Sequence, residues 1–317
     1  MRFTIYTRQT NGFEQVVLED TLTQAQAILL PGFGAMLHAL NVQTRDGLFN
    51  VIDHYDNLEE LRGELGESYK SCKLSPFACR LPEGKFTYNG RLLELENKYI
   101  DGSAIHGLLY DKPFRLTGSF CDDLQATVQF KYKYKKEDRG YPFQYGCEIH
   151  YMLLKDNELL VSTIITNSDV TEIPLCDGWH PYFKLGGKID GWLLRFNADT
   201  IVEFDENLVP TGQLSPYGLF KEERLIKDAI LDNCFVLNGE PADPACTLMN
   251  PDIGVAVSLF PDHSYPYLQI YTPPHRESIA IENLSGAPDC FNNKMGLILL
   301  PPGQSKTFTI RYQISMK

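Results

Sequence analysis

Four short blocks of the chain carry side chains able to move a proton: GSAIHG around His106, DGWHPYF around His180, LDNCF around Asp232 and IAIENLSGAPDCFN around Glu282. Histidines and a carboxylate without a serine or cysteine nucleophile partner suggest acid–base proton transfer rather than covalent catalysis. In Ser278-Ile279-Ala280-Ile281-Glu282, the two isoleucines occupy one face of an extended segment, and Glu282 shares the other with Ala280. A Gly/Pro turn follows, and a carboxylate where a strand gives way to a loop is well placed to line a cleft. His180 is flanked by Trp179, Pro181, Tyr182 and Phe183. Aromatic faces suit the C–H faces of a sugar ring, and nearby Asp and Asn groups suit its hydroxyls. The competing structural reading is a hydrogen-bonded core histidine and a solvated glutamate at a strand end.

Other chemistries lack their signatures. Gly32-Phe33-Gly34 has no third glycine at the right spacing and no following helix, so it is not a dinucleotide loop. There is no Walker A sequence, no G-x-S-x-G elbow and no H-E-x-x-H. Asn283-Leu284-Ser285 fits a glycosylation acceptor, which reads as chance without a secretion signal. The eight cysteines, at 72, 79, 121, 147, 176, 234, 246 and 290, form no C-x-x-C pair, which argues against a zinc ribbon or a redox pair. Buried free thiols in a reducing compartment are expected instead.

The elements that must position these groups follow a period of two. Phe308, Ile310, Tyr312, Ile314 and Met316 alternate with Thr307, Thr309, Arg311, Gln313 and Ser315. Val128, Phe130, Tyr132 and Tyr134 alternate with Gln129, Lys131, Lys133 and Lys135, and Tyr145, Cys147, Ile149 and Tyr151 oppose Glu148 and His150. Similar runs recur at 159–166, 192–196, 254–260, 267–272 and 278–282, with turn residues at 139–142, 155–157, 185–191 and 238–244. The alternating lysines read as the solvent face of a strand, where they keep a sheet edge from pairing with other chains. Asp56–Leu65 is the one predicted helix, with Asp56 or Asn57 as its N-cap. These patterns predict an all-β fold, an antiparallel sandwich or barrel, as a single domain over residues 1–317.

Composition bounds the partners. The chain has 317 residues, 43% of them hydrophobic, with 17 Tyr, 18 Phe and 2 Trp, which excludes disorder. Lys plus Arg is 29 against 41 for Asp plus Glu, a net charge of −12, so most of the surface repels nucleic acid and anionic lipid. The N-terminal segment is too polar for a signal-peptide core, and no run approaches the roughly 18 apolar residues of a membrane span. The expectation is a cytoplasmic protein with a small-molecule partner, no nucleic acid and no membrane.

The same blocks resemble the aldose 1-epimerase (galactose mutarotase) family from about residue 20 onward. PGFGAMLHALNV at 31–42 looks like the family's early strand with its Gly-Ala pair. CRLPEGKFTYNGRLLELENKYIDGSAIHG at 79–107 resembles the block carrying an arginine and a sugar-binding histidine. GYPFQYGCEIHYML at 140–153 is similar to the strand after the family's Gly-Tyr-Pro, and TNSDVTEIPLCDGWHPYFKLGG at 166–187 to its catalytic-histidine block. LDNCF and YTPPHRESIAIENLSGAPDCFN look like the substrate-aspartate and catalytic-glutamate blocks. Two departures bear on sugar preference: Leu108 follows Ile105-His106-Gly107 where the family often has His-Gly-Gly, and Trp179 stands where an Asn commonly precedes His-Pro-Tyr-Phe.

The resemblance implies a large antiparallel β-sandwich of the galactose mutarotase-like type and an isomerase of a neutral hexose, glucose or galactose. It implies Glu282 as the base at O1, His180 as the acid at O5, and His106 near O5 as a positioning group or a second acid. Arg80 and Asp232 would bind hydroxyls, and Trp179, Tyr182 and Phe291 are expected as apolar walls. No cofactor or metal is required, because both proton carriers are side chains; a His106/His180/Glu282 metal site is the minor alternative. Two rivals remain: a hexose-6-phosphate mutarotase, for which Arg80, Lys85 and Arg276 are candidate phosphate ligands, and a non-catalytic carbohydrate-binding protein.

Overall fold

The computed structural model describes residues 1–99 and 101–317; Ile100, inside the 79–107 block, lies outside the described residues. Alternating segments pair with their sequence neighbours wherever a short polar turn joins them. Phe3–Thr10, Phe13–Asp20, Ala25–Leu30, Met36–Thr44 and Gly47–Asn50 thus form a five-stranded meander. A second meander, Arg115–Cys121, Gln125–Lys135, Gln144–Leu154 and Glu158–Asn167, makes one half of a nine-stranded sheet. Its next strand is Ser305–Met316, which lies between Glu158–Asn167 and Val255–Pro261; Cys246–Asn250, Leu193–Phe196 and Arg224–Leu225 complete the order.

The eight-stranded sheet carries most of the chemistry. Its order is Pro210–Pro216, Ala198–Phe204, Asp232–Leu237, Tyr267–Tyr271, Ile279–Leu284, Gly178–His180 and Cys72–Leu74, with Tyr182–Phe183 also pairing to Ile279–Leu284. Long-range antiparallel pairing of this kind buries one face of each sheet against another. A continuous cluster of buried apolar side chains draws on all three sheets, including Leu18, Phe130 and Ile281. The result is a large antiparallel sandwich-like arrangement, the one of the two periodicity-based alternatives that the family resemblance implies.

Two local expectations change. The helix runs Leu58–Ser68, past the predicted end at Leu65, and stops where Tyr69 turns left-handed (φ 50°). Asn57 is its cap, with Oδ1 accepting from the backbone N–H of Glu59 and Glu60 at 3.0 Å each, and Leu61 and Leu65 face the core. Lys131, Lys133 and Lys135 are exposed, but their strand is not an edge: it is paired on both sides, with Arg115–Cys121 and Gln144–Leu154. Lys131 instead pairs with Glu148 across the sheet at 2.6 Å. Asn283 is fully buried and its Oδ1 accepts from Tyr312, so it is no glycosylation acceptor. All eight cysteines are free thiols, and all but Cys121 are buried. Among the described residues no helix is long and apolar enough to cross a membrane.

Candidate active site

Register between the central strands of the eight-stranded sheet assembles one side of a cleft. Glu282 lies opposite Gln269, and Gln269 opposite Cys234. Asp232, two residues before Cys234, therefore projects to the same face. Gln269 Nε2 donates to Asp232 Oδ1 at 2.9 Å, tying the two strands together. Glu282 lies inside its strand rather than at the end expected from the sequence, because Asn283 and Leu284 continue the pairing with Trp179 and Gly178.

His180 reaches the same cleft from Gly178–His180, a three-residue strand held between Ile279–Leu284 and Cys72–Leu74. Gly178 permits that insertion: a Cβ there would lie 2.7 Å from Leu284 Cδ2 and 2.9 Å from the Asn283 carbonyl oxygen. His180 Nε2 is 3.2 Å from Glu282 Oε1, and Tyr182 stacks on the imidazole at 5.0 Å between ring centroids.

His106 arrives by a different route. Ala104–Ile105 pairs with Arg80–Leu81, and the His106 N–H donates to the Cys79 carbonyl at 3.0 Å. His106 (φ 58°) and Cys79 (φ 54°) both adopt the left-handed region, an uncommon backbone state for such residues. Gly107 (φ 83°) makes the approach possible, since a Cβ there would sit 2.4 Å from the Ser75 carbonyl oxygen. The His106 ring packs edge-on to His180 at 4.7 Å and against Tyr69 at 4.6 Å. The helix end at Tyr69 is thus part of the site. Arg80 reaches the rim, where Asp101 and Ser103 accept from its guanidinium.

The cleft these groups line has a volume of about 320 Å³, at the small end of the roughly 300–1,000 Å³ of ligand sites, a size for a small ligand. Burial sets its electrostatics. Glu282 is pushed well above the usual carboxylate range by burial, with the Asp232 charge adding and the Cys79 thiol, which donates to Oε2 at 3.7 Å, opposing. Burial lowers His180 to about 4, and burial with the neighbouring His180 and Arg80 holds His106 well below the usual histidine value. Asp232 is raised by burial against the pull of Gln269 and Arg80. All four shifts favour uncharged forms, so burial holds Glu282 and His180 as a neutral carboxyl and a neutral imidazole with one proton between them. His106 Nδ1, His180 Nδ1 and Gln269 Oε1 are buried without a hydrogen-bond partner among the described residues.

Six of the eight residues singled out in the sequence line this cleft: His106, His180, Glu282, Arg80, Asp232 and Tyr182. The other two expectations are corrected. Trp179 precedes His180 on a strand, so its side chain takes the opposite face, where it packs under Lys73 and near Tyr151. Phe291 is buried among Phe77, Phe86 and Tyr141, behind the cleft rather than on its wall. Cys79, Gln269, Tyr69 and Tyr271 line the cleft without having been singled out. Cys79 was legible as the neighbour of Arg80; Gln269 becomes visible only through cross-strand register. Of the candidate phosphate ligands, Lys85 is paired with Glu83 at 2.6 Å and Arg276 with Asp190 at 2.7 Å, both away from the cleft.

Comparison with known proteins bears on the fold and the family. The chain is 28% identical to human galactose mutarotase over 211 residues, which is 64% of this chain and 58% of that protein. It is 26% identical to the Escherichia coli (strain K12) protein YihR over 238 residues, 73% of this chain and 74% of that one. In three dimensions it matches a galactose mutarotase-like protein from Clostridium acetobutylicum with TM-score 0.85 and 17% identity, covering 100% of this chain and 99% of that one. The aldose epimerase homologue from C. elegans matches with TM-score 0.81 and 19% identity, over 92% and 96% of the two chains. These likenesses establish a shared fold. A family model described as aldose 1-epimerase matches residues 15–313, and the chain belongs to that family.

Proposed function

We propose that the chain interconverts the α and β anomers of a neutral hexose by general acid–base ring opening and reclosure. One observation carries the reading: a buried carboxyl and a buried imidazole 3.2 Å apart, with a second imidazole 4.7 Å from the first, share a small cleft with Arg80 and Asp232. The pair's one proton passes from Glu282 to His180 across their 3.2 Å contact; Glu282 then removes the O1 proton while His180 delivers one to O5, and the C1–O5 bond breaks to leave the open aldehyde. Rotation about C1–C2 exposes the other carbonyl face. Closure then reverses both transfers, so each group returns to its starting state. His106, held beside His180, positions the ring near O5. Asp232 and Arg80 bind hydroxyls, with Tyr182 under the apolar face of the sugar.

Charge supports a neutral substrate over a sugar phosphate. Arg80 is the sole Lys or Arg among the described cleft-lining residues, and Asp101 already accepts from it, while Glu67, Asp232 and Glu282 bring carboxyl groups to the same walls. A phosphate dianion would find no free cation there. Polarimetry on freshly dissolved α-D-glucose and α-D-galactose tests the proposal, with wild type and Glu282→Gln. Each proton-transfer group is worth roughly 10²–10⁴-fold, and the variant should lose that much while still binding sugar. A wild type that accelerates neither sugar but acts on glucose 6-phosphate would replace this reading with the phosphate one. Sugar binding with no catalysis by wild type would make the protein a binder.

A further inference from the structure

The proposed proton transfers leave the one thiol among the described cleft-lining residues without a task. Cys79 is buried, sits in a left-handed backbone turn beside Arg80, and directs its thiol at Glu282 Oε2, 3.7 Å away. Its Sγ, one ring nitrogen of His106 and one carboxyl oxygen of Glu282 all lie within 4.8 Å of one another. His106 Nδ1 is buried and unpartnered among the described residues. His180 Nε2 stands 3.2 Å from the other carboxyl oxygen, close enough to act as a fourth donor.

We propose that Cys79, His106 and Glu282 form a binding site for a thiophilic divalent ion, Zn²⁺ above all, and that ion and sugar exclude each other. Sulfur, nitrogen and carboxylate oxygen together are the donor set of zinc rather than of calcium or magnesium. In tetrahedral zinc, bonds of about 2.3 Å to sulfur and 2.0 Å to oxygen put those two atoms about 3.5 Å apart. Cys79 Sγ and Glu282 Oε2 already stand 3.7 Å apart, so the pair is preset for capture. A thiolate and a carboxylate neutralise the dication, leaving an uncharged site in a buried place. Binding releases the thiol proton, and the carboxyl proton where present, to solvent; no redox change is involved. The bound ion occupies both the proposed base and the proposed positioning histidine, so it arrests anomer exchange until a chelator removes it. This inhibitory consequence rests on the proposed function, whereas the metal capture does not.

The test uses the intact, reduced protein and Co²⁺ as an optical stand-in for Zn²⁺. Wild type should bind one Co²⁺ with a thiolate-to-metal charge-transfer band, and Zn²⁺ should bleach it. Cys79→Ser should lose the band, while Cys121→Ser, which alters the half-exposed thiol, should keep it. His106→Gln keeps the thiol and should weaken Co²⁺ binding at least tenfold, since even outer-shell losses cost about 10–100-fold. Zn²⁺ should also slow mutarotation by wild type at concentrations that leave Cys79→Ser at its own metal-free rate. Wild type without a charge-transfer band, or a band that survives Cys79→Ser, overturns the site. A band in a protein that accelerates no sugar keeps the metal site and removes the proposed function; mutarotation without a band does the reverse.

Discussion

Replacing Lys73 with methionine should cost far more than a surface lysine would. Lys73 is fully buried, and its ammonium donates to Asp177 Oδ2 at 2.6 Å and to the Gly178 carbonyl at 3.0 Å, 4.6 Å from the Trp179 ring centre. Asp177 is equally buried; Tyr265 donates to the same Oδ2 at 2.7 Å, and Oδ1 has no partner among the described residues. Removing one member of such a pair strands the other charge, at about 3–5 kcal/mol. Asp177 is already raised by burial against the opposing pull of Lys73 and Tyr265, so losing the lysine raises it further. A carboxyl whose folded value exceeds its unfolded value of about 3.9 binds more protons in the folded state. The stability of Lys73→Met therefore falls as pH rises through that window, and the gap to wild type widens from acid to neutral pH. Urea unfolding at several pH values reads this directly. The double variant with Asp177→Asn, which removes the stranded charge, should recover roughly 1–4 kcal/mol. A loss below about 1 kcal/mol at neutral pH, where exposed pairs lie, would refute the reasoning. So would a loss independent of pH, or a double variant no better than the single one.

Three further outcomes follow from the cleft. The productive His180–Glu282 pair holds one proton, so activity should fall on the acid side near pH 4, where His180 takes a second proton, and on the basic side where the raised Glu282 gives up the last; a pH–rate profile checks both limbs. Gly107→Ala should lose about 1–3 kcal/mol from strain at positive φ, and its Cβ, facing the Ser75 carbonyl, should displace His106, read as lower kcat in the folded fraction. Gln269→Leu removes the donor to Asp232; a hydrogen bond is worth about 0.5–1.5 kcal/mol net, so KM should rise roughly 2- to 10-fold with a smaller change in kcat.

The strands were legible because a period of two survives wherever one face is buried, and Glu158–Asn167 and Val255–Pro261 lie within a residue or two of their alternating runs. The helix start was legible through Asn57, while its extension to Ser68 was not, because Gly66, Glu67 and Ser68 carry no apolar signal. Trp179 shows a rule available but unapplied: adjacent residues on a strand cannot share a face, so one of Trp179 and His180 had to leave the cleft. Phe291 follows a Gly/Pro turn, and its direction depends on the short helix Cys290–Asn293, which no periodicity announces. The roles of Gln269 and Cys79 come from neighbours far away in the chain. Gln269 meets Asp232 across strands, and Cys79 meets Glu282 across 203 positions, distances at which sequence patterns carry no register.

The place of Ser305–Met316 has a consequence for how the chain is made. It comes after both of its neighbours in chain order, yet it joins two groups of strands that have each been synthesised well before it. On the ribosome, Glu158–Asn167 and Val255–Pro261 must wait with open backbone edges on either side of a slot one strand wide. Such edges recruit other chains readily. The nascent chain is thus exposed to aggregation along these two edges until this strand emerges, and the insertion of that one segment closes both edges at once.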